Sequence, residues 1–268
     1  MYYAILAHSN IYLSSSFLRF SNAFGEILLL DSSDQDIYRL KVVATELLAL
    51  FIDNNVASVR EMIVSSSSEK NSLLCMICSA IAIESDSGLL GSLFELVKSL
   101  LNIPNPGAIS EDSVGTFLNL FYPKHAQSLI APVHKGFEEE QLSDDLETER
   151  ISNCIELFIV FIRQHTYRVK YILLQTTLVH DVVRLVDSSH KKHLQSLAIR
   201  FIRTCLGMRD DFYNRFIVKN DLIFPFARLY EANGFKDNMI HSALNDLFEF
   251  ILQASREDDQ RMIFIDSY

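Results

Sequence analysis

Six apolar residues at offsets 0, 3, 4, 7, 8 and 11 occur four times along this chain, and nothing else in the sequence constrains its fold as strongly. Leu194, Leu197, Ala198, Phe201, Ile202 and Cys205 make one copy. Ile240, Ala243, Leu244, Leu247, Phe248 and Ile251 repeat it 46 residues later, and Ile151, Cys154, Ile155, Phe158, Ile159 and Ile162 precede it by 43. Leu40, Val43, Ala44, Leu47, Leu48 and Phe51 form the fourth. On an α-helix these offsets fall on one side, so each copy predicts a helix buried along one stripe. A helical stripe returning every 43 to 46 residues marks stacked helical repeats. The predicted fold is therefore all-α, an armadillo- or HEAT-like helical-repeat solenoid, stacked right-handed in about five or six units.

The 268 residues read as a single helical-repeat domain: irregular repeats over 1–136, an acidic loop over 137–146 and regular repeats over 147–268. Eight Gly and five Pro are few for this length, against an all-β chain with its many turns. In the first part, helices are expected over 34–52 and 56–64, separated by Asp53-Asn54-Asn55, then over 70–84 and 86–102. In the last of these Leu93, Leu96, Val97, Leu100 and Leu101 face inward. Two short helices broken near Pro123 follow, and Pro104, Pro106 and Gly107 separate them from the preceding helix. In the second part, helices are expected over 146–165, 167–175, 177–187 and 194–206, the last closed by Gly207. Asp210 or Asp211 caps the next, over 210–219; Asn233-Gly234 stops another, over 222–232; and 238–253 and 258–268 complete the set.

Composition and motifs exclude more than they name. The longest apolar run, Leu73 to Ile83, has 11 residues, against about 20 for a bilayer span. No membrane segment or secretory leader is expected. Cys75, Cys78, Cys154 and Cys205 lie within apolar helical patterns and read as buried free thiols, so Cys75-Met76-Ile77-Cys78 is core rather than a zinc or redox motif. His190-Lys191-Lys192-His193 reads as a solvated basic turn. There is no GxSxG, Gly-rich phosphate loop or HExxH, so no catalytic residues, metal or cofactor are expected. The phenylalanines Phe117, Phe121, Phe158, Phe161, Phe201, Phe212, Phe216, Phe248 and Phe250 are expected in the core.

Charge is distributed unevenly. The net charge is −10, but Ile151 to Asn220 carries eleven Lys/Arg against five Asp/Glu. A basic segment in an acidic protein points to acidic protein segments as partners, while the pI near 5.3 argues against nucleic acid. Arg60, Arg168, Arg215 and Arg261 each precede an apolar pair or triplet in a second helix, a spacing that suggests an arginine ladder along a groove or, equally simply, local pairs such as Asp211 with Arg215.

Several stretches carry a family resemblance. HTYRVKYILL (165–174), LAIRFIRTCLGMRDDFYNRFIVKNDLIFPFARLYEANG (197–234) and HSALNDLFEFI (241–251) resemble the helical core of the regulatory subunit 3 family of protein phosphatase 4, the SMEK or Psy2 family. TFLNLFYPKHAQSLIAPV (116–133) and ESDSGLLGSLFELVKSLLNIPN (84–105) resemble the segments before it. The resemblance implies a non-catalytic regulatory and scaffolding subunit, in nucleus and cytoplasm, working with a phosphatase catalytic subunit and a second regulatory subunit. It also implies that the family's N-terminal EVH1-like domain has no counterpart here. Gly234-Phe235-Lys236-Asp237-Asn238 departs from the family's Asn-Gly-x-Arg-Tyr-Asn. The alternative is a general helical-repeat adaptor unrelated to phosphatases.

The partner-binding candidates combine both lines of reasoning. Arg163, Arg168, Lys170, Arg203, Arg209, Arg215 and Lys219 are expected to form a basic surface. His165, Tyr167, Tyr213, Asn214 and Asn220, with Arg168, Arg215 and Lys219, are family-like residues in or beside second helices, expected on related positions of one side of the stack.

Overall fold

The computed structural model describes residues 22–265 except 33, 66–71, 104–113, 139–143, 166, 188–190 and 235–237. Among the described residues every regular element is a helix. Helix α1 covers 22–28. Then come α2 (Gln35–Ser65), α3 (Leu73–Ile83), α4 (Ser87–Leu101), α5 (Val114–Lys124), α6 (Ala126–Glu138) and α7 (Asp145–Gln164). They are followed by α8 (Tyr167–Gln175), α9 (Leu178–Arg184), α10 (Lys192–Gly207), α11 (Asp211–Lys219), α12 (Phe224–Asn233) and α13 (Met239–Ile265). This is the all-α helical-repeat class that the stripes require.

The chain divides into two compact units, Met1–Ile172 and Leu173–Tyr268. In the first, α2 packs on α4 and α5, α4 on α3 and α7, and α6 on α3, α5 and α7. In the second, α10 is central and touches α9, α11 and α13, while α12 packs on α13. Each unit has its own apolar core: Leu90, Leu93, Val97, Phe117, Phe121 and Phe158 are fully covered in the first, Leu194, Phe201, Ile202, Phe226 and Leu244 in the second.

The stripes of α7 and α10 are buried at all six positions. The stripe of α13 is buried at Ile240, Leu244 and Leu247 and partly covered elsewhere. The copy on α2 is turned. Ala44 and Leu48 face inward with Lys41, Thr45 and Ile52, whereas Leu40, Val43, Leu47 and Phe51 face outward. The cause lies in Lys41. Its ammonium reaches Glu84 Oε2 at 2.5 Å, Ser32 Oγ at 2.7 Å and the Leu30 carbonyl at 3.1 Å, so a charged residue occupies the inner face and rotates the helix about its axis.

Other boundaries also shifted. Asp53-Asn54-Asn55 marks the expected break: two helical stretches meet at Asn55, whose φ of −158° and ψ of 75° are not helical, and together they make up α2 as far as Ser65. α10 ends at Gly207 as expected, and the left-handed residue beyond it is Arg209, φ 51°. Asp210 caps α11 by accepting from the Phe212 N–H, and Gly234, φ 59°, ends α12 as expected. The last two expected helices are one, α13. The segment with Pro104, Pro106 and Gly107, His190, and residues 139–143 of the acidic loop lie outside the described residues; of the rest of that loop, 137–138 end α6 and 145–146 begin α7.

Helix α2 is long and apolar enough to cross a membrane by length and composition alone. Its inner face is nonetheless packed on α4 and α5, with the Lys41–Glu84 pair buried between helices.

Candidate partner-binding surface

The end of α7 and the start of α8 form a polar joint around His165. His165 is buried; its Nε2–H donates to the Leu101 carbonyl at 2.8 Å and its Nδ1 accepts from the Tyr122 hydroxyl at 2.5 Å. The ring stacks on Phe161 with centroids 4.9 Å apart. Burial lowers its pKa to about 4, helped by the nearby Arg168 and Arg60 cations and opposed by the Leu101 hydrogen bond, so the imidazole is neutral at physiological pH. Gln164 donates to Asn102 Oδ1 and accepts from the Ile103 N–H. Arg60 donates from Nε to the Leu100 carbonyl and from Nη2 to the Asn102 carbonyl, both at 2.8 Å. The terminal carbonyls of α4, which no residue of that helix can satisfy, thus find buried donors from α2 and α7.

Two of the expected contact residues therefore belong to the core. His165 is 1% exposed, and Tyr213 is 3% exposed with its hydroxyl unpartnered and its pKa pushed well up by burial. Neither presents a side chain to a partner. Polar and aromatic residues on short helices looked like surface residues because the buried groups they meet lie far away in sequence.

Of the four arginines that suggested a ladder or local pairs, the three whose side chains are described have separate roles. Arg60 is an internal cap, and Arg168 donates to Asn119 Oδ1 on α5 and lies 4.7 Å over the Tyr167 ring. Arg215 makes the local pair with Asp211, at 3.9 Å and largely in solvent. The Arg261 side chain lies outside the described residues. Arg203 is held by Asp246 at 3.1 Å and sits 3.6 Å over the Phe250 ring, tying α10 to α13.

What remains accessible clusters on two helices, one in each unit. On α8 the outward residues are Tyr167 and Tyr171, one turn apart, flanked by the half-buried Arg168 and Lys170; Arg163 is exposed just before them on α7. On α11 the outward residues are Phe212, Arg215, Val218 and Lys219, with Asn214 half-buried and Asn220 exposed at the C-cap. Arg209 is exposed in the turn before α11. Tyr171 and Phe212 were not anticipated on the surface, although the Tyr167–Tyr171 spacing gave the signal for the first. Phe212 had been expected in the core; it sits beside the Asp210 cap, where the first turn of α11 faces solvent.

No group of three or more His, Cys, Asp or Glu that could hold a metal occurs among the described residues. Cys78, Cys154 and Cys205 are buried free thiols, and burial with the neighbouring Cys75 raises the Cys78 pKa to about 12.

The family model described as phosphatase 4 regulatory subunit 3 matches residues 26–265. Suppressor of Mek1 from Dictyostelium discoideum is 24% identical over 241 residues, 84% of this chain and 22% of that protein. Serine/threonine-protein phosphatase 4 regulatory subunit 3 from Drosophila melanogaster is 33% identical over 170 residues, 63% of this chain and 17% of that protein. The chain thus spans about a fifth of the length of these relatives. No solved structure matches it. Because the family match runs from within α1 to the end of α13, the chain belongs to the phosphatase 4 regulatory subunit 3 family.

Proposed function

We propose that the chain is a non-catalytic regulatory or scaffolding subunit of a phosphatase 4-type complex, with the chemistry supplied by the phosphatase catalytic subunit and a second regulatory subunit completing the assembly. The family match over residues 26–265 carries this reading. Contact is made through the outward faces of α8 and α11, where aromatic side chains stand next to cations: Tyr167 and Tyr171 with Lys170, and Phe212 with Arg215 and Lys219. Aromatic area with adjoining positive charge suits a partner segment that is acidic and partly apolar. Nucleus and cytoplasm are the expected locations.

The test is co-purification with the phosphatase catalytic subunit. Tyr167→Ala with Tyr171→Ala, and separately Arg215→Glu with Lys219→Glu, are expected to reduce recovery at least several-fold while thermal melting stays near wild type, since all four side chains are outward. The charge reversal should act mainly on the association rate and be muted at high salt. Unchanged recovery with both folded variants would move the contact elsewhere, and phosphatase activity from the isolated chain would overturn the regulatory reading.

A further inference from the structure

Helix α2 is apolar on two sides. Its inner side, with Ala44, Leu48 and Ile52, is buried against neighbouring helices. Its outer side carries Leu40, Val43, Leu47 and Leu50, 38 to 58% exposed. Their spacing of three, four and three residues sets them along one face for nearly three turns. On α7 and α10 the corresponding stripe is covered at every position, and α7 has both α4 and α6 against it. A helix apolar on more than one side is built to lie between neighbours. α2 has the side chains of such a helix, and among the described residues no helix covers Leu40, Val43, Leu47 and Leu50.

Charge around the stripe indicates what a neighbour there would carry. Arg39, Glu46 and Asp53 are spaced seven residues apart and line one edge, and Arg39 is already paired with Asp36 at 3.5 Å. The edge is therefore acidic at Glu46 and Asp53. The opposite edge passes directly into the core through Ala44 and Leu48. We propose that the outer face of α2 docks an amphipathic helix from a partner chain, apolar where it meets Leu40, Val43, Leu47 and Leu50 and carrying Lys or Arg where it passes Glu46 and Asp53. A second copy of this chain fits less well, because antiparallel pairing of two α2 helices sets Glu46 against its own symmetry mate. The same acids disfavour an anionic membrane surface.

The probe is a pair of synthetic helical peptides with leucines on one face and either lysines or glutamates along the adjoining edge. Their binding to the full chain is followed by fluorescence anisotropy, with hydrogen exchange to locate the protection. The lysine-edged peptide is expected to bind at least tenfold more tightly than the glutamate-edged one and to protect α2. Glu46→Lys with Asp53→Lys should reverse the preference, and Leu50→Glu, at the most exposed of the four positions, should weaken both peptides at least tenfold while leaving the melting temperature near wild type; Leu47→Glu is the second variant should Leu50→Glu not fold. Equal affinity for the two peptides, or no loss in the folded leucine variant, overturns the proposal. So does a concentration-dependent dimer, or vesicle binding, that the leucine variant abolishes, because either result would give the face to a different occupant.

Discussion

His165 and Glu84 make stability depend on groups that the core holds in one protonation state. His165 must be neutral to accept from Tyr122 while donating to Leu101, and its pKa of about 4 lies below the ordinary value of 6.5. Between those pH values the unfolded chain binds a proton that the folded chain refuses, so stability is full above about pH 6.5 and falls as pH drops towards 4. The loss through this one group is about 3 kcal/mol. Urea unfolding at pH 7, 5.5 and 4 should show it, and His165→Gln should lower stability at pH 7 while flattening the dependence. Glu84 adds loss at lower pH. Burial pushes its carboxyl up, but hydrogen bonds from Lys41, the Asp86 N–H and Ser32 outweigh this and hold it below the usual range. Lys41→Met should cost about 3–5 kcal/mol, because it strands the Glu84 carboxylate in the core. Adding Glu84→Gln should recover most of that, read as a melting temperature rising back towards wild type.

The elements were legible in the sequence wherever burial followed apolar periodicity. The stripes of α7 and α10 gave helix, face and approximate ends, although Arg150 is buried beside the α7 stripe, donating to the Ile81 and Glu84 carbonyls. The same pattern misplaced the inner face of α2, since the residue that sets its rotation is a lysine whose partner lies 43 positions away. The break at Asn55 was legible in the three polar residues Asp53-Asn54-Asn55. The surface was less legible than the core: Arg60 and Arg168 share a sequence context, yet one is buried as a cap for α4 and the other lies against Tyr167 and Asn119. Local sequence cannot distinguish these, because the deciding acceptors belong to other helices. A core prediction follows for α10, the central helix of the second unit. Phe201→Ala removes a fully buried ring and should cost about 3–5 kcal/mol, measured by urea denaturation. Hydrogen exchange should locate the loosening in α9 to α13, with α3 to α7 retaining their protection.

At the scale of the whole molecule, two cores and an uneven charge distribution matter more than the total of −10. The excess of eleven basic residues over five acidic ones between Ile151 and Asn220 is partly offset from outside the segment, where Asp246 pairs with Arg203. The positive charge presented outward is therefore smaller than a count of residues suggests; on α11 Lys219 is exposed, whereas Arg215 pairs with Asp211.

The Lys41–Glu84 pair also bears on how such a chain changes over generations. Loss of either charge alone passes through a poorly folded intermediate, whereas exchange of both for neutral residues does not. Positions 41 and 84 are therefore expected to behave as a single inherited character across related chains, altered together or left alone, although α2 and α3 are free to drift at most of their other surface positions.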